Sequence, residues 1–212
     1  MSTPRLDLGA LARRLDGRAP ARAFRWLPAR RAGVAVILDE DNRVLLMRRA
    51  ARSGDRWSAH VSLPGGMEQE GDGSLLATAA RETREEVGLD VTGMDRLGAL
   101  DEVRAIANGG LRPMSIAPFV FVARAPVTAG ETPKPPAQPV TPVVGPEVAA
   151  VFWLPLELAA CGALDDRLSY RVARVPLPFP CWRFEDHVIW GITYGVLQSM
   201  LRLARPGERL TP

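Results

Sequence analysis

The sequence predicts a single α/β domain with a mixed β-sheet. β-branched apolar runs such as Gly33–Asp39 alternate with polar turns, as strands do. An amphipathic segment follows the glycine pair Gly65–Gly66, and a second one occupies residues 192–205. Apolar residues at that spacing are typical of helices. Strand-like and helix-like runs therefore intermingle along the chain, which is the pattern of an α/β protein.

The composition indicates a globular domain with a core of its own. The chain has 212 residues, and 47% of them are hydrophobic, which is enough for one sizeable core. It contains no apolar run of about 18 residues, so neither a transmembrane helix nor a membrane partner is predicted. The two cysteines, Cys161 and Cys181, lie far apart. This argues against a disulfide framework or a zinc site and fits a cytoplasmic location.

The positive charge is carried almost entirely by arginine, and the net charge is +3. The basic residues form no long block, so a nucleic-acid partner is not predicted. Arginine side chains suit the recognition of phosphate groups, which is compatible with a small phosphorylated substrate.

Three regions are distinguished along the chain. Residues 1–30 form an N-terminal extension, predicted as a surface helix and a connector, with an arginine-rich organellar transit peptide as the alternative. Residues 31–205 form the domain, and residues 206–212 form a tail. Residues 125–146 contain seven prolines, which exclude a helix or a central strand and predict a long inserted loop or lid.

The domain begins with a predicted hairpin. A turn at Asp41–Asn42 joins the strand Gly33–Asp39 to a second apolar strand, Arg43–Arg49. A short strand at 61–63 then leads into a turn at Gly65–Gly66. The next element is a helix.

That helix is predicted from 74 to 88. Asp72 or Ser74 is expected to cap its first turn, because both side chains accept hydrogen bonds from backbone N–H groups. Gly88 stands where a glycine commonly ends a helix.

The second half of the domain predicts strands followed by a closing helix. β-branched and aromatic runs indicate the strands, and apolar residues at helical spacing indicate the helix. The predicted segments are strands at 96–104, 115–124 and 147–156, a helical turn at 156–162, an extended aromatic stretch at 175–191 and a helix at 192–205.

Three glutamates crowd one side of the helix at 74–88. At about 100° per residue, Glu82, Glu85 and Glu86 fall within an arc of about 100°. Like charges three and four residues apart repel, so helix stability alone does not explain them. Converging carboxylates suit Mg²⁺, and the alternative is a solvated acidic face. Gly65 and Gly66 favour a metal, since glycines let backbone groups approach a metal or phosphate closely.

A nine-residue run at 81–89, R-E-T-R-E-E-V-G-L, resembles the second half of the Nudix box. Gly66 and Asp72 resemble its first half, with five residues between them and eight between Asp72 and the run, one more than usual. This longer form after P-G-G, and the W-G-I-T start of the last helix, resemble the coenzyme A diphosphatase branch. The resemblance covers about 32–203 and implies a Nudix-type α/β/α sandwich with a mixed β-sheet.

A second signature of that branch is present in altered form. Residues 45–50, L-L-M-R-R-A, resemble its start. Asp55 stands in place of an arginine, Ala59 replaces a glycine and Leu63 replaces a phenylalanine. Coenzyme A or an acyl-coenzyme A is therefore the leading expected substrate. ADP-ribose, nucleotide sugars, dinucleotides and oxidised nucleotides remain alternatives.

The resemblance implies hydrolysis of a nucleoside diphosphate linked to another group, with Mg²⁺ as cofactor or Mn²⁺ in its place. Glu82, Glu85 and Glu86 are the implied metal ligands, and the Gly66 carbonyl completes the set. Glu82 is also a candidate for the base that orients the attacking water. Arg81 is expected to hold the glutamates through ion pairs, so the expected catalytic residues are Glu82, Glu85 and Arg81.

Other residues are candidates for substrate binding. Gly65, Arg48 and Arg49 are expected at the phosphates, although alternation along a strand turns one of the two arginines toward solvent. Glu147 is a further carboxylate candidate, and His60 is placed at the edge of the site or in a loop. Tryptophan side chains are candidates for base stacking or for the core, namely Trp57, Trp182 and Trp190.

Two other functions on the same fold are weighed. A module that senses a nucleotide without cleaving it is disfavoured, because the three glutamates are all present. An isomerase is expected to add a cysteine near the site, whereas Cys161 and Cys181 lie far downstream. The expected partner is a small nucleoside diphosphate substrate, and the sequence leaves a homodimer open.

Overall fold

A computed structural model describes residues 6–24, 30–51, 59–107, 112–123, 142, 145–172 and 175–205. Four predicted features lie wholly or mostly outside these residues: the altered signature around Asp55, the candidate Trp57, most of the proline-rich segment and the tail after residue 205. Within the described part of the chain, no helix has both the length and the apolar character needed to cross a bilayer.

Eight strands form a central sheet, namely β1 Arg30–Leu38, β2 Arg43–Arg49, β3 Val61–Ser62, β4 Gly65–Met67, β5 Asp95–Ala99, β6 Val103–Ala107, β7 Arg112–Val122 and β8 Val148–Pro155. Five of them lie side by side in the order β3, β2, β1, β7 and β5. The other three lie off this path and pair with its inner strands: β4 with β1, β6 with β7 and β8 with β2.

The central sheet is mixed. β1 and β7 run parallel along their whole contact, from Arg30 opposite Met114 to Leu38 opposite Val122. The other pairs are antiparallel. The predicted α/β class with a mixed sheet is therefore confirmed.

A smaller antiparallel sheet and four helices complete the described fold. The small sheet has the order β11-β10-β9. Its strands are β9 Asp165–Val172, β10 Val175–Phe184 and β11 His187–Trp190. The helices are α1 Leu8–Leu15, α2 Leu75–Val87, α3 Leu156–Ala160 and α4 Gly191–Ala204, with a 3-10 turn at Val91–Gly93.

Helices cover both faces of the central sheet because each strand alternates its apolar side chains. In β1, Val36 and Leu38 join a core cluster that contains residues of α1 and α4. Ala35 and Ile37 point the other way and pack in a cluster with α2 residues such as Val87. The result is the α/β/α sandwich.

Helix α2 lies unusually close to strand β1. A Cβ at Gly33 would come within 2.1 Å of the Leu75 carbonyl oxygen, so this contact requires glycine. Ser74, not Asp72, caps the helix, with its side-chain oxygen accepting from Ala77 N at 3.1 Å. Gly88 ends it in the left-handed conformation at φ 70°, as predicted.

The structure corrects four sequence-based expectations. Gly65–Gly66 is not a turn, because these residues begin β4 and pair with Val34 and Gly33 of β1. The predicted hairpin is narrow, since the β1–β2 register is confined to Leu38 and Val44 while β2 pairs mainly with β8. The segment 96–104 divides into β5 and β6. Strand β9 was not predicted, because its apolar residues Leu168, Tyr170 and Val172 alternate with polar ones over only five positions, a short strand signal.

Helix α1 packs on the domain. Leu11 and Leu15 are buried in the same cluster as Met200 and Leu201 of α4. Arg14 Nη1 also donates to the carbonyl of Leu203 at 2.7 Å. The predicted division at residue 30 stays a prediction, but the first helix contributes side chains to the core.

Candidate active site

Arg81, in the middle of helix α2, joins three carboxylates. Its Nε donates to Asp72 Oδ1 at 2.8 Å, and its Nη1 donates to Glu82 Oε1 at 2.9 Å and to Glu85 Oε2 at 3.2 Å. Nη2 donates to the Met67 carbonyl at 3.2 Å. This planar fork fixes the position of α2 against β4, which is the arrangement expected of a residue that orders the glutamates.

Asp72 anchors that arginine. Its Oδ2 accepts from Thr78 Oγ1 at 2.8 Å and from Gln69 N at 2.9 Å, in addition to the Arg81 bonds. The hydrogen bond from Arg81, reinforced by the one from the Gln69 backbone, holds the pKa of Asp72 well below its usual range. Asp72 is therefore ionised at neutral pH, and its carboxylate holds the Arg81 guanidinium in place through hydrogen bonds.

Gly66 and Glu82 are in direct contact. A Cβ at Gly66 would lie 2.4 Å from Glu82 Cδ and 2.6 Å from each carboxylate oxygen. Only glycine leaves room for this carboxylate beside the backbone of β4. The Glu82 side chain is mostly buried, with 16% of its surface exposed.

Glu86 is the most buried of the three glutamates. Its Oε2 accepts from Gly65 N at 2.8 Å, and Arg49 Nη1 lies 3.9 Å from its Oε1. Burial raises the pKa of Glu86 to about 7, with the nearby charges of Glu82 and Glu147 acting in the same direction. The Gly65 N–H and Arg49 offset part of this effect.

Glu85 occupies a different environment. Its side chain is 58% exposed and is held by Arg81 at the edge of the site. Glu82 and Glu86 line the central cavity, whereas Glu85 points toward solvent, so the structure brings two of the three glutamates together.

The two neighbouring arginines of β2 point in opposite directions. Arg49 lines the cavity beside Glu86. Arg48 instead pairs with Asp186 Oδ2, 3.2 Å from its Nη1. Alternation along the strand explains the difference. The structure thus answers which arginine faces the site, and it places Arg48 on the side away from the glutamates.

A cavity of about 560 Å³ is lined by residues of the central sheet, the small sheet, α2 and the start of α4. Its volume is in the range of small-molecule sites. The acidic and basic side is formed by Glu82, Glu86, Glu147 and Arg49. Met67, Met114, Ile116 and Ile192, which belong to one apolar cluster, give the cavity an aliphatic surface, and the rings of His60, Tyr170 and Trp190 give it an aromatic one.

The donor set at the acidic side fits a hard divalent cation. The Glu82 carboxylate lies against the backbone of Gly66, and the Glu86 carboxylate lines the same cavity, so this side of the cavity offers oxygen donors. Because Gly66 has no side chain, the Glu82 carboxylate can lie directly against the β4 backbone. A buried carboxylate with a raised pKa also gains from a nearby cation.

A second acidic group lies at the turn between β10 and β11. Ligand atoms of Glu185, Asp186 and His187 lie within 4.8 Å of one another. Arg48 already pairs with Asp186, and the His187 ring stacks on Phe152 at 3.8 Å. The guanidinium charge makes this turn a poorer cation site than the cavity.

Residues 27–173 match the family model of the NUDIX domain. The chain belongs to the NUDIX domain family. The matched segment contains the whole of α2 and the glycines of β4.

Two curated relatives and one solved structure resemble this Nudix chain. An uncharacterized protein of Schizosaccharomyces pombe is 40% identical over 117 residues, 45% of this chain but only 36% of that protein. An uncharacterized Nudix hydrolase, NudL, of Salmonella dublin is 27% identical over 94% of this chain and 96% of its own. A Deinococcus radiodurans crystal structure is 17% identical over 86% of this chain and 87% of its own, with a TM-score of 0.49.

Some residues of the Nudix site were not identified from sequence. Tyr170 lines the cavity from β9, a strand that was itself missed. Gly145 donates its N–H to the Glu86 carbonyl at 2.9 Å, and a Cβ there would lie 2.5 Å from the Glu85 carbonyl. The alternation of Leu168 and Tyr170 with polar residues was the available sequence signal for Tyr170. No neighbouring residue indicated the role of Gly145, because this glycine contacts the end of a helix that is distant in the sequence.

Proposed function

We propose that this protein hydrolyses the diphosphate bond of coenzyme A or an acyl-coenzyme A, giving 4′-phosphopantetheine or its acyl derivative and 3′,5′-ADP, with Mg²⁺ or Mn²⁺ as cofactor. The observation that carries the proposal is the cavity itself. Glu82 and Glu86 contact the glycine backbone of β4, and the same cavity has an aliphatic surface of Met67, Met114, Ile116 and Ile192, called the aliphatic wall below.

The coarser statement rests on the family. The chain is a Nudix hydrolase that acts on diphosphate bonds of nucleoside diphosphate derivatives. The assignment of coenzyme A as the substrate is supported by the spacing of the residues after P-G-G and by the altered signature at 45–50. An aliphatic wall of Met67, Met114 and Ile116 also suits an uncharged arm better than a second sugar, because sugars require hydrogen-bonding partners.

The positions of the residues in the cavity suggest a separate role for each of them. We assign Glu82, Glu86 and the Gly66 carbonyl to the metal, with Glu85 entering from the edge. Arg49 faces the same cavity and is assigned to the phosphates, together with the backbone of Gly65. When bound, the cation would neutralise charge on the diphosphate and acidify a water.

Arg81 is a positioning residue in this scheme. It engages Oε1 of Glu82, and we assign Oε2 either to the metal or to the proton released by the attacking water. Diphosphate hydrolysis depends mainly on positioning and charge neutralisation, so a network that fixes carboxylates is central to it.

The test is a substrate panel with full-length protein and Mg²⁺. Coenzyme A, acetyl-coenzyme A, octanoyl-coenzyme A, ADP-ribose, NADH and a nucleotide sugar are incubated separately, and products are identified by mass spectrometry. The matched variants are Glu86→Gln and Glu40→Gln, since Glu40 is an exposed glutamate in the turn after β1. The proposal expects 3′,5′-ADP from the coenzyme A series, lost in E86Q and retained in E40Q.

The other outcomes are equally decisive. Cleavage of ADP-ribose or a nucleotide sugar in place of coenzyme A would retain the Nudix chemistry and overturn the substrate. No cleavage of any member with either Mg²⁺ or Mn²⁺ would favour the nucleotide-sensing alternative.

A further inference from the structure

Three rings meet on one side of the cavity. His60 precedes β3, Tyr170 lies on β9 and Trp190 ends β11. The Trp190 ring centroid is 4.7 Å from that of Tyr170 and 5.1 Å from that of His60. All three residues also line the cavity that contains Glu82 and Glu86. These three residues are called the aromatic wall below.

The two tryptophans of the small sheet have different environments. Trp182 is completely buried, and its Nε1 donates to Asp165 Oδ1 at 3.0 Å, as expected for a core residue. Trp190 is only partly buried and faces the cavity. Tyr170 is also only partly buried. The small sheet therefore completes the core with one tryptophan and borders the cavity with the other.

The aromatic wall draws its residues from distant parts of the chain. His60 and Tyr170 lie within the family match, which ends at residue 173, whereas Trp190 lies beyond it. Tyr170 is held on the wall by its strand, whose partner β10 places Leu177 opposite it. Phe179 supports the wall from behind, with ring centroids 6.1 Å from Trp190 and 6.3 Å from Tyr170.

We propose that Tyr170 and Trp190 form the stacking surface for the nucleobase of the substrate, with His60 at its edge. This inference rests on the proposed function only in requiring a nucleoside diphosphate. A purine ring stacks on aromatic side chains through its π-face, so this contact does not depend on which group is attached to the diphosphate. With the phosphates directed to Arg49 and the glutamates, the base reaches the aromatic side, and the uncharged arm remains for the aliphatic wall.

The test uses binding rather than cleavage. AMP carries the base but has no diphosphate bond, and ribose 5-phosphate is the matched ligand without a base. Both are titrated calorimetrically into full-length protein with Mg²⁺. The wild-type protein is expected to bind AMP at least about 10-fold more tightly than ribose 5-phosphate.

Substitutions assign that difference to the wall. Tyr170→Ala and Trp190→Ala are each expected to weaken AMP binding about 10-fold and to leave ribose 5-phosphate unchanged. Tyr170→Phe and Trp190→Phe keep a ring and are expected to retain most of the AMP affinity. Thermal unfolding of each variant confirms folding, and the phenylalanine variants keep the test valid if an alanine variant does not fold.

The result that overturns the inference is equal affinity for AMP and ribose 5-phosphate in the wild type, absence of AMP binding, or an equal loss for both ligands in the alanine variants. These outcomes do not depend on the substrate panel. If no diphosphate is cleaved but AMP binding requires the rings, the proposed function fails and the aromatic wall stands. If coenzyme A is cleaved with unchanged KM in Y170A and W190A, the reverse holds.

Discussion

The carboxylate of Glu82 lies directly against the backbone of Gly66, where a Cβ would approach its Cδ to 2.4 Å. The neighbouring glycine meets something different. A Cβ at Gly65 would lie 2.4 Å from the Gly33 carbonyl oxygen and 2.5 Å from Val34 Cα. Gly66 makes room for the Glu82 carboxylate and Gly65 for a neighbouring strand, so the two positions are expected to respond differently to substitution.

Gly66→Ala is expected to lower kcat by about 100-fold while the fold is retained. The added methyl meets the end of a flexible side chain, which moves aside at little cost in stability but leaves its catalytic position. The measurement is kcat on the substrate that the panel identifies, together with the thermal midpoint. Gly93→Ala is the control, because a Cβ there meets nothing within 4 Å. Unchanged kcat in G66A would contradict the role of this contact.

Gly65→Ala is expected to reduce the free energy of unfolding by about 3 kcal/mol. Its φ of 147° is unfavourable for a residue with a Cβ, and the clash is with backbone atoms of β1 that cannot rotate away. Urea denaturation measures the loss. A reduction below about 1 kcal/mol would show that β4 shifts without strain and that the pairing with β1 is looser than described.

Arg81→Lys is expected to lower kcat about 10-fold or more, although the charge is preserved. A lysine cannot reproduce the planar fork that bonds Asp72 and Glu82 together. Arg84→Lys is the matched control on the same helix, because Arg84 is exposed and pairs with Asp90 away from the cavity. Equal activity in R81K and wild type would mean that Glu82 is positioned by β4 alone.

The same variant has an expected effect on acid stability. The pKa of Asp72 is lower in the folded protein than in the unfolded chain, so its ionised form stabilises the fold above about pH 4 and this contribution is lost as the pH falls further. In R81K the pKa of Asp72 is expected to rise toward its ordinary value. The acid-unfolding midpoint should therefore move to higher pH, which circular dichroism can follow; an unchanged midpoint would argue against the coupling.

When a chelator removes divalent metal ions, Glu86 is expected to give folding stability the opposite pH dependence. Its pKa is about 7 in the fold against 4.5 as the ordinary value, so the folded state holds the proton more tightly. The resulting stability is fully present below pH 4.5 and is lost as the pH rises through about 7. The loss is at most about 3 kcal/mol.

Urea denaturation with EDTA at pH 5, 6, 7 and 8 measures this loss. Wild-type stability is expected to decline over the series relative to Glu86→Gln, which cannot ionise. Mg²⁺ is expected to restore the wild type at pH 8 and to have little effect on E86Q. Parallel curves for the two proteins would show that the buried carboxyl is already compensated without the metal.

Leu11→Ala tests whether the first helix belongs to the folded unit. Leu11 is completely buried between α1 and the rest of the core, so its truncation is expected to cost about 3 kcal/mol. Arg13→Ala on the exposed side of the same helix is expected to change stability by less than about 0.5 kcal/mol. Equal, small effects of both substitutions would show an extension that folds separately.

Local patterns predicted much of the fold. Strand β2 and helix α2 are found within a residue of their expected limits, because their apolar periodicity and caps are written in neighbouring residues. The structural roles predicted for glycines were confirmed at one site and wrong at another. Gly88 ends its helix as expected, whereas Gly65 and Gly66 belong to a strand, since pairing with β1 overrides their turn propensity.

The candidate site was predictable where it consists of one helix. The spacing of Glu82, Glu85 and Glu86 indicated a shared helical face, and Arg81 was expected to pair with them. Their difference in burial was not predictable, because it depends on β4 and Arg49 covering Glu86 while Glu85 stays at the edge. The choice between Arg48 and Arg49 likewise required the sheet.

The amino-acid sequence by itself determined the fold class, the acidic helix and the glycine at which this helix ends, since these depend on patterns among residues a few positions apart. Only the tertiary structure decided which carboxylates face the cavity, which glycine accommodates Glu82 and which tryptophan borders the site. Those features arise where β4, α2 and the small sheet meet, between residues such as Glu82 and Trp190 that are far apart in the chain. Their geometry is set by packing, and packing is not encoded in any short segment.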